Sequence, residues 1–303
     1  MMLDKLVIGI DFSTPSVEAA RWAARHFAPG AELVLVHVIS IPEAPPIVRS
    51  RFPRRDLLIE TVREGAEKRL RELSLTLSAG RVWLEIREGN PVECLTEVAA
   101  EFSADIIVAG AHGERPGVQE GLGTIAEHLV RAASCPVLLH AGPGLTPPSH
   151  ILVPVDKSEY ADHALRWAGE LSRRYGIEVT AIHVMTASIA SSALAAATII
   201  SGAPPIDPRT QAATVEMTDR WLESAVAAGV PRERATSEVA FGQPTREILS
   251  AAERLGVDLI VTGRRGEGNI RRAVLGSVVD GVLRGSACPV LVVPESKQSG
   301  ASE

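Results

Sequence analysis

The sequence predicts an α/β protein of two tandem domains, each with a parallel sheet covered by helices on both faces. The chain has 303 residues, and at about 150 residues per domain this length suggests two domains. The second half repeats the landmarks of the first half in the same order, which indicates duplication of one domain. Apolar runs typical of buried strands alternate with segments of helical periodicity, and this alternation favours a parallel sheet.

Short matched motifs reveal the repeat. KLVIGIDFS from Lys5 matches HILVPVDKS from His150, and both segments end in Asp-x-Ser with the aspartates 145 residues apart. His37 and His183 lie 146 residues apart in similar apolar runs. Two glycine-rich stretches and two Cys-Pro-Val triplets recur at a spacing of 153. The growing spacing places eight extra residues in the second copy.

Each copy supplies five predicted strands and four predicted helices. The strands of the first copy are LVIGI, ELVLVHVI, RVWLEIRE, DIIVAGA and PVLLH. Ser13 and Pro15 predict the cap and first turn of a helix after strand one. A second helix is expected from about Asp56 to Leu77, and a third follows Asn90 and Pro91. A fourth begins at Thr124, and the second copy follows the same order.

A stretch rich in proline and glycine joins the two copies. HAGPGLTPPSH, from His140 to His150, contains three prolines and two glycines. Such a segment cannot continue a helix or a central strand. We therefore expect a first domain at residues 1–141, a linker at 142–148, a second domain at 149–295 and a disordered tail at 296–303.

Charge, cysteine content and hydropathy exclude several classes of protein. A net charge of -6, from 31 basic and 37 acidic residues, opposes broad nucleic-acid binding. Three cysteines without a CxxC motif suit a reducing compartment better than a disulfide scaffold. The chain has no run of 18 consecutive apolar residues, so we expect no membrane span and a cytoplasmic location.

A glycine loop of matched spacing follows the fourth strand of each copy. Glycine permits positive φ and lets a ligand approach without a Cβ, while the free N–H groups of the next helix favour phosphate. Ligands of open α/β sheets bind at the carboxyl ends of the strands. Asp11 and Asp156 follow strand one, so they would meet these loops if strands one and four are neighbours. The loop residues are Gly110, Gly113, Gly123 and Thr124, and Gly263, Gly266, Gly276 and Ser277.

These motifs resemble the universal stress protein family in its tandem two-domain form, over nearly the whole chain. The resemblance implies five-stranded parallel sheets in the order 3-2-1-4-5 and, for the glycine-motif branch, binding of ATP. It places each aspartate by the adenine or ribose, a valine of strand two along the adenine pocket, and the glycine loop around phosphate. The implied binding residues are Ile10, Asp11, Val38, Gly110, Gly113, Gly123 and Thr124, and Val155, Asp156, Val184, Gly263, Arg265, Gly266, Gly276 and Ser277.

The first copy departs from the family pattern at four positions. Gly9 stands where the second copy has Pro154, His112 and Glu114 stand where basic or small residues are common, and Thr124 replaces the commoner serine.

Structural roles stay open for most of the implied residues. The aspartates could cap the first helices, and the glycines could serve tight turns alone. His37 and His183 lie in apolar runs, which favours a structural role. The residue after each loop could form a capping box with the acid three positions later; the pairs are Thr124 with Glu127 and Ser277 with Asp280.

We expect an ATP-binding, nucleotide-dependent sensor or regulator of the stress response, with Mg²⁺ as a potential companion of the nucleotide. No catalytic base or metal-holding carboxylate pair is evident beside the loops, so nothing beyond slow ATP hydrolysis is expected. The alternatives are a dimerisation scaffold without nucleotide and a weak ATP-hydrolysing enzyme. The resemblance also implies pairing of the two copies through their fifth strands. We expect a homodimer of the tandem chain and an unidentified protein partner.

Two further expectations concern the second copy. Its glycine loop carries four arginines against one glutamate, whereas the first loop carries one arginine against two glutamates. Charge-assisted contacts to phosphate are strong, so the second pocket is predicted to bind ATP more tightly. The apolar segment from Thr186 to Asp207 is predicted to be a mobile lid or contact surface, or else a short helix on its own domain.

Overall fold

The computed structural model describes residues 3–40, 55–113, 122–140, 146–186, 208–266 and 275–295. The chain divides into two compact units, with the main boundary between Pro147 and Pro148. The apolar segment 187–207, most of both charged loops (114–121 and 267–274) and the tail 296–303 lie outside the described residues.

The first unit is a five-stranded parallel sheet in the order β3-β2-β1-β4-β5, with helices on both faces. This arrangement confirms the predicted fold class, and strands two and three have the predicted bounds. A π-helical turn, Ala23–Phe27, extends the first helix and was not predicted. The strands are β1 (Lys5–Gly9), β2 (Glu32–Ile39), β3 (Arg81–Glu88), β4 (Ile106–Gly110) and β5 (Val137–His140), and the helices are α1 (Thr14–Trp22), α2 (Arg55–Ser74), α3 (Pro91–Glu101) and α4 (Thr124–Ala132).

The second unit repeats this topology, in the order β8-β7-β6-β9-β10. Its first strand begins 145 residues after β1, and its last helix begins 153 residues after α4, as the sequence repeat requires. The strands are β6 (His150–Pro154), β7 (Glu178–Met185), β8 (Ala235–Phe241), β9 (Leu259–Gly263) and β10 (Val290–Val293), and the helices are α5 (Glu159–Tyr175), α6 (Pro208–Ala227), α7 (Pro244–Arg254) and α8 (Ser277–Gly285).

The central strands of each unit are buried because helices cover both faces of the sheet. Leu6, Val7 and Ile8 of β1 are inaccessible to solvent, as are Ile151 and the two residues after it in β6. Burial of one such aliphatic side chain contributes about 1.5–3 kcal/mol. The result is a rigid platform that fixes the carboxyl ends of the strands, where the candidate site lies.

Local capping signals explain where the helices begin. Ser13 caps α1 by accepting a hydrogen bond from the N–H of Ser16 at 3.3 Å, as predicted. Asn90 caps α3 by accepting from the N–H of Val92 at 2.9 Å. In the second unit Gln243 occupies the corresponding position of α7 and makes no side-chain cap. A glutamine is one methylene longer than the asparagine that suits this geometry.

Candidate functional site

The ends of the first and fourth strands meet in both units because these strands are direct neighbours. β1 pairs with β4, and β6 pairs with β9, in parallel register. A Cβ placed on Gly113 would lie 3.0 Å from Asp11 Oδ2, and one placed on Gly266 would collide with Asp156 Oδ2. Each glycine loop therefore passes directly over the aspartate that follows the first strand of its unit. The sequence predicts this meeting on the condition that strands one and four are neighbours.

Each Asp-x-Ser motif forms a tight turn that leads into the next helix. Asp11 Oδ1 accepts hydrogen bonds from the N–H of Ser13 at 2.9 Å and from its hydroxyl. Asp156 Oδ1 accepts the same pair from Ser158. The serines, not the aspartates, cap the helices, so the capping alternative for Asp11 and Asp156 is wrong. Each aspartate instead orients the serine with Oδ1, while Oδ2 lies against the glycine loop.

The turn also keeps Asp11 ionised. The surrounding protein partly desolvates the carboxylate, although one side of Asp11 is exposed, and this desolvation alone would raise the pKa. Hydrogen bonds from the side chains of Ser13 and Ser16 and from the Ser13 N–H outweigh it, and the pKa of Asp11 lies below its ordinary value. The site therefore presents a fixed negative charge and a hydrogen-bond acceptor.

The first glycine of each loop allows the fourth strand to pack closely against the first helix. A Cβ on Gly110 would lie 3.1 Å from Pro15 Cβ, and one on Gly263 would lie 2.5 Å from Tyr160 Cβ. None of the six loop glycines has a positive φ, so left-handed backbone is not the reason for glycine at these positions. Close approach is the reason at five of them, since a Cβ would be crowded at every loop glycine except Gly276.

The third glycine brings the end of the loop back over its beginning. A Cβ on Gly123 would lie 3.3 Å from the carbonyl oxygen of Ala111, and one on Gly276 would lie 3.4 Å from Arg265 Cα. These glycines are themselves the N-caps of α4 and α8, and neither helix has a side-chain cap. Backbone N–H groups at both helix starts are thus available to an anion.

The expected capping boxes do not form. Thr124 and Ser277 are the first residues of α4 and α8, and the acid three positions later pairs within its own helix. Glu127 accepts from Arg131 at 2.6 Å, and Asp280 Oδ2 accepts from Arg284 Nε at 3.0 Å. The hydroxyl groups of Thr124 and Ser277 lie on exposed residues at the helix starts, where they can donate to a ligand.

A cavity of about 450 Å³ opens at this point of the first unit. All seven residues implied for the first copy line it, from Ile10 of the β1 turn to Thr124 of α4. The cavity is also lined by residues that the sequence did not assign to the binding site. They are Gly9, Ser16, Val36, Ser40, Pro91, Leu95, Ala109, Ala111, His112, Leu122, Ile125 and Ala126.

Side chains at the end of β2 alternate between the cavity and the opposite face of the sheet. Val36 and Val38 line the cavity, and His37 between them lies on the opposite face because strand side chains alternate. Its Nδ1 donates to the carbonyl oxygen of Ile10 at 2.7 Å, which fixes the residue before Asp11. His183 makes the equivalent bond to Val155 at 2.8 Å. Both histidines therefore have the structural role that their apolar surroundings indicate.

The second unit places its implied residues in the same elements, with one additional polar contact. Val155 is buried and Val184 is half-buried, each at the end of its strand. Arg265 is buried, and its Nη1 donates to the Tyr160 hydroxyl at 3.1 Å. That hydroxyl in turn donates to Glu295. Tyr160 and Arg265 occupy the positions of Pro15 and His112, so the first unit has no equivalent of this contact.

The described ranges contain neither a candidate metal site nor a membrane-spanning helix. No group of three or more His, Cys, Asp or Glu side chains there could hold a metal ion. None of the described helices combines the length and apolar character needed to cross a bilayer. No disulfide joins Cys94, Cys135 or Cys288, and burial raises the pKa of the Cys94 thiol.

Fold and site together define a tandem α/β protein with a ligand crevice at the carboxyl ends of its parallel strands. Comparison with known proteins agrees: the universal stress protein family matches residues 2–140 and 148–294. The chain therefore belongs to the universal stress protein family, with two tandem family domains.

Relatives and solved structures show how far this similarity extends. A universal stress protein of Mycobacterium tuberculosis is 28% identical over 313 residues, covering 96% of each chain. The crystal structure of a universal stress protein from Archaeoglobus fulgidus covers 98% of this chain and all of that one, with a TM-score of 0.72 and 21% identity. A universal stress protein solved in complex with cAMP covers 50% of this chain at 22% identity, with a TM-score of 0.36.

Proposed function

We propose that the chain binds an adenine nucleotide, ATP in the first place, and acts as a nucleotide-dependent regulator of the stress response. The observation that carries this proposal is the cavity of the first unit, because all seven implied residues line it. Family membership supports the regulatory role. The binding residues of the second unit occupy the same positions in an equivalent framework.

The cavity has a suitable surface for each part of a nucleotide. Val38 and Leu95 offer apolar contacts to a base, and Asp11 offers a carboxylate acceptor to the ribose hydroxyls. The start of α4, with Gly123 as its cap and the Thr124 hydroxyl beside it, offers donors to phosphate. The hydrogen bonds from Ser13 hold the Asp11 carboxylate in place.

Magnesium would enter this site with the nucleotide. Mg²⁺ binds through one or two carboxylates together with substrate phosphates, and Asp11 is the carboxylate among the described residues that line the cavity. That residue could complete the coordination of an ion that the phosphates already hold. The ion would offset part of the nucleotide's negative charge.

A regulatory role fits the side chains of the cavity better than a catalytic one. The titratable groups among its described lining residues are Asp11 and His112. Asp11 is held as an acceptor by the Ser13 cap and has a pKa below its ordinary value, which makes it a weak general base at neutral pH. We propose that any ATP hydrolysis is slower than about 1 s⁻¹, outside the usual range of enzymes. We also propose that the chain functions as a cytoplasmic homodimer.

Titration of the purified chain with ATP in a calorimeter tests the proposal. Gly123→Val should remove binding at the first site and Gly276→Val at the second, because a side chain there would enter the phosphate approach. Gly65→Ala is a matched control, since a Cβ at that α2 position meets nothing within 4 Å. Unchanged ATP binding in the doubly substituted chain, with its circular dichroism spectrum intact, would reject the site.

A further inference from the structure

Phe12, the middle residue of the Asp-x-Ser turn in the first unit, has an uncommon backbone conformation. Its φ is 64°, in the left-handed region that residues with a Cβ seldom adopt. Lys157 holds the equivalent position in the second unit and has no positive φ. Hydrogen bonds between aspartate and serine form in both turns, so they do not by themselves require the left-handed conformation at Phe12.

Contacts of the Phe12 ring stabilise this conformation. The imidazole of His37 packs against the ring, with ring centroids 4.6 Å apart. From α2, the guanidinium of Arg69 lies over the ring, 4.1 Å from its centroid. Ring–ring and cation–π contacts of this kind are both attractive, so they offset the cost of a left-handed residue. His37 also donates to the carbonyl oxygen of Ile10 at 2.7 Å, so it fixes the backbone on both sides of Asp11.

The conformation of the turn goes together with the distance between the carboxylate and the glycine loop. In the first unit a Cβ on Gly113 would lie 3.0 Å from Asp11 Oδ2. In the second unit, where the middle residue of the turn has no positive φ, Asp156 Oδ2 lies closer to the position of a Cβ on Gly266. The turn with Phe12 therefore leaves more room between carboxylate and loop. Asp11 and Gly113 both line the cavity, so this gap is part of the candidate site.

We propose that Phe12 is a positioning residue of the first site, and that its clamped ring sets the gap between the Asp11 carboxylate and the glycine loop. The gap would receive the sugar and phosphate of an adenine nucleotide, so the inference rests on the proposed function. Phe12 is not among the described residues that line the cavity, and it acts on the ligand through Asp11. Without the ring, the turn would relax to the ordinary φ of the second unit.

Two small residues at position 12 distinguish positioning from packing, in the full chain carrying Gly276→Val so that calorimetric titration with ATP reports the first site alone. Phe12→Ala removes the ring and favours an ordinary φ. Phe12→Gly also removes the ring, but glycine adopts a positive φ about as readily as a negative one. Phe12→Ala should weaken ATP binding at least about fivefold, because only the left-handed fraction of the turn is ready to bind. Phe12→Gly should bind ATP at least about threefold more tightly than Phe12→Ala.

Matched variants test each contact separately. Phe12→Tyr keeps the ring and should bind ATP as the unsubstituted turn does. Arg69→Gln should weaken ATP binding about twofold when Phe12 is present, and it should have no further effect in Phe12→Ala, where the guanidinium has no ring to contact. In the second unit, isolated by Gly123→Val, Lys157→Gly should bind ATP no more tightly than Lys157→Ala, because this turn has no positive φ for glycine to favour.

Urea unfolding establishes that each variant is folded, and Phe12→Leu replaces Phe12→Ala in the comparison if the alanine chain is not. Equal ATP affinities of Phe12→Ala and Phe12→Gly would show that the ring only packs, and would reject the inference while leaving nucleotide binding intact. An unchanged ATP affinity in Phe12→Ala would reject it as well. Absence of ATP binding by the folded Gly276→Val chain would reject the proposed function at this site and the inference with it.

Discussion

His140 gives the first unit a specific sensitivity to acid. Its side chain is 1% exposed at the end of β5, and neither ring nitrogen has a hydrogen-bond partner within the described part of the chain. Trp22 packs against the imidazole, with ring centroids 5.4 Å apart. Burial lowers the pKa of His140 from 6.5 to about 4, although the negative charge of Glu18 opposes this effect. The native state therefore keeps His140 neutral under conditions where the unfolded chain takes up a proton.

The direction and size of the effect follow from linkage. Between pH 6.5 and about 4 the unfolded state binds more protons, so the free energy of unfolding falls as the pH falls. The loss should grow over this range to roughly 3 kcal/mol near pH 4. Above pH 6.5 both states are neutral at this residue, and the effect vanishes.

Urea unfolding of the parent chain and of His140→Phe, at several pH values, isolates the contribution of His140 protonation to the free energy of unfolding. The substitution replaces one buried ring by another, and it removes two unpaired polar atoms, so stability at neutral pH should be unchanged or higher. The difference in the free energy of unfolding between the two chains should grow below pH 6.5 to roughly 3 kcal/mol. His128→Gln, a substitution at an exposed histidine, is the control and should give a difference that does not grow. A difference that is independent of pH would refute the assignment of a neutral buried imidazole.

Two further predictions concern the glycine loops. Gly266→Ala should destabilise the second unit by about 1–3 kcal/mol in urea unfolding, because the new Cβ displaces the Asp156 carboxylate from its hydrogen bonds with Ser158. Gly276→Ala is the control and should leave stability nearly unchanged, since its Cβ meets only ordinary contacts. Equal losses of stability in the two variants would contradict the steric argument. ATP should bind more tightly to the second pocket, measured in Gly123→Val, than to the first, measured in Gly276→Val. The difference in ATP affinity between the two pockets should shrink as salt is added. Equal ATP affinities of the two pockets at low salt would show that the loop charges do not matter.

Local signals explain why most of the fold could be predicted. The central strands are largely apolar runs, and Ser13 and Asn90 cap their helices through contacts within three residues. The repeat added independent support, because each element of one copy could be checked against the other. The meeting of Asp11 with Gly113 also followed, since it depends only on which strands are neighbours.

The missed features depend on packing between distant segments. Leu95 and Ile125 reach the cavity only because α3 and α4 cover the same face of the sheet. The contact of Arg265 with Tyr160 joins residues 105 positions apart, and the first copy, with Pro15, gives no hint of it. The cap of α4 falls on Gly123 rather than Thr124, a shift of one residue that a capping-box pattern does not resolve.

The most direct measurement is mass spectrometry of the small molecules released from the purified chain after incubation with mixed AMP, ADP and ATP and removal of free ligand. The parent chain should release adenine nucleotide, either Gly123→Val or Gly276→Val should release about half as much, and the chain that carries both should release none. Release of no adenine nucleotide by the folded parent chain, or of equal amounts by the parent and the doubly substituted chain, would contradict it.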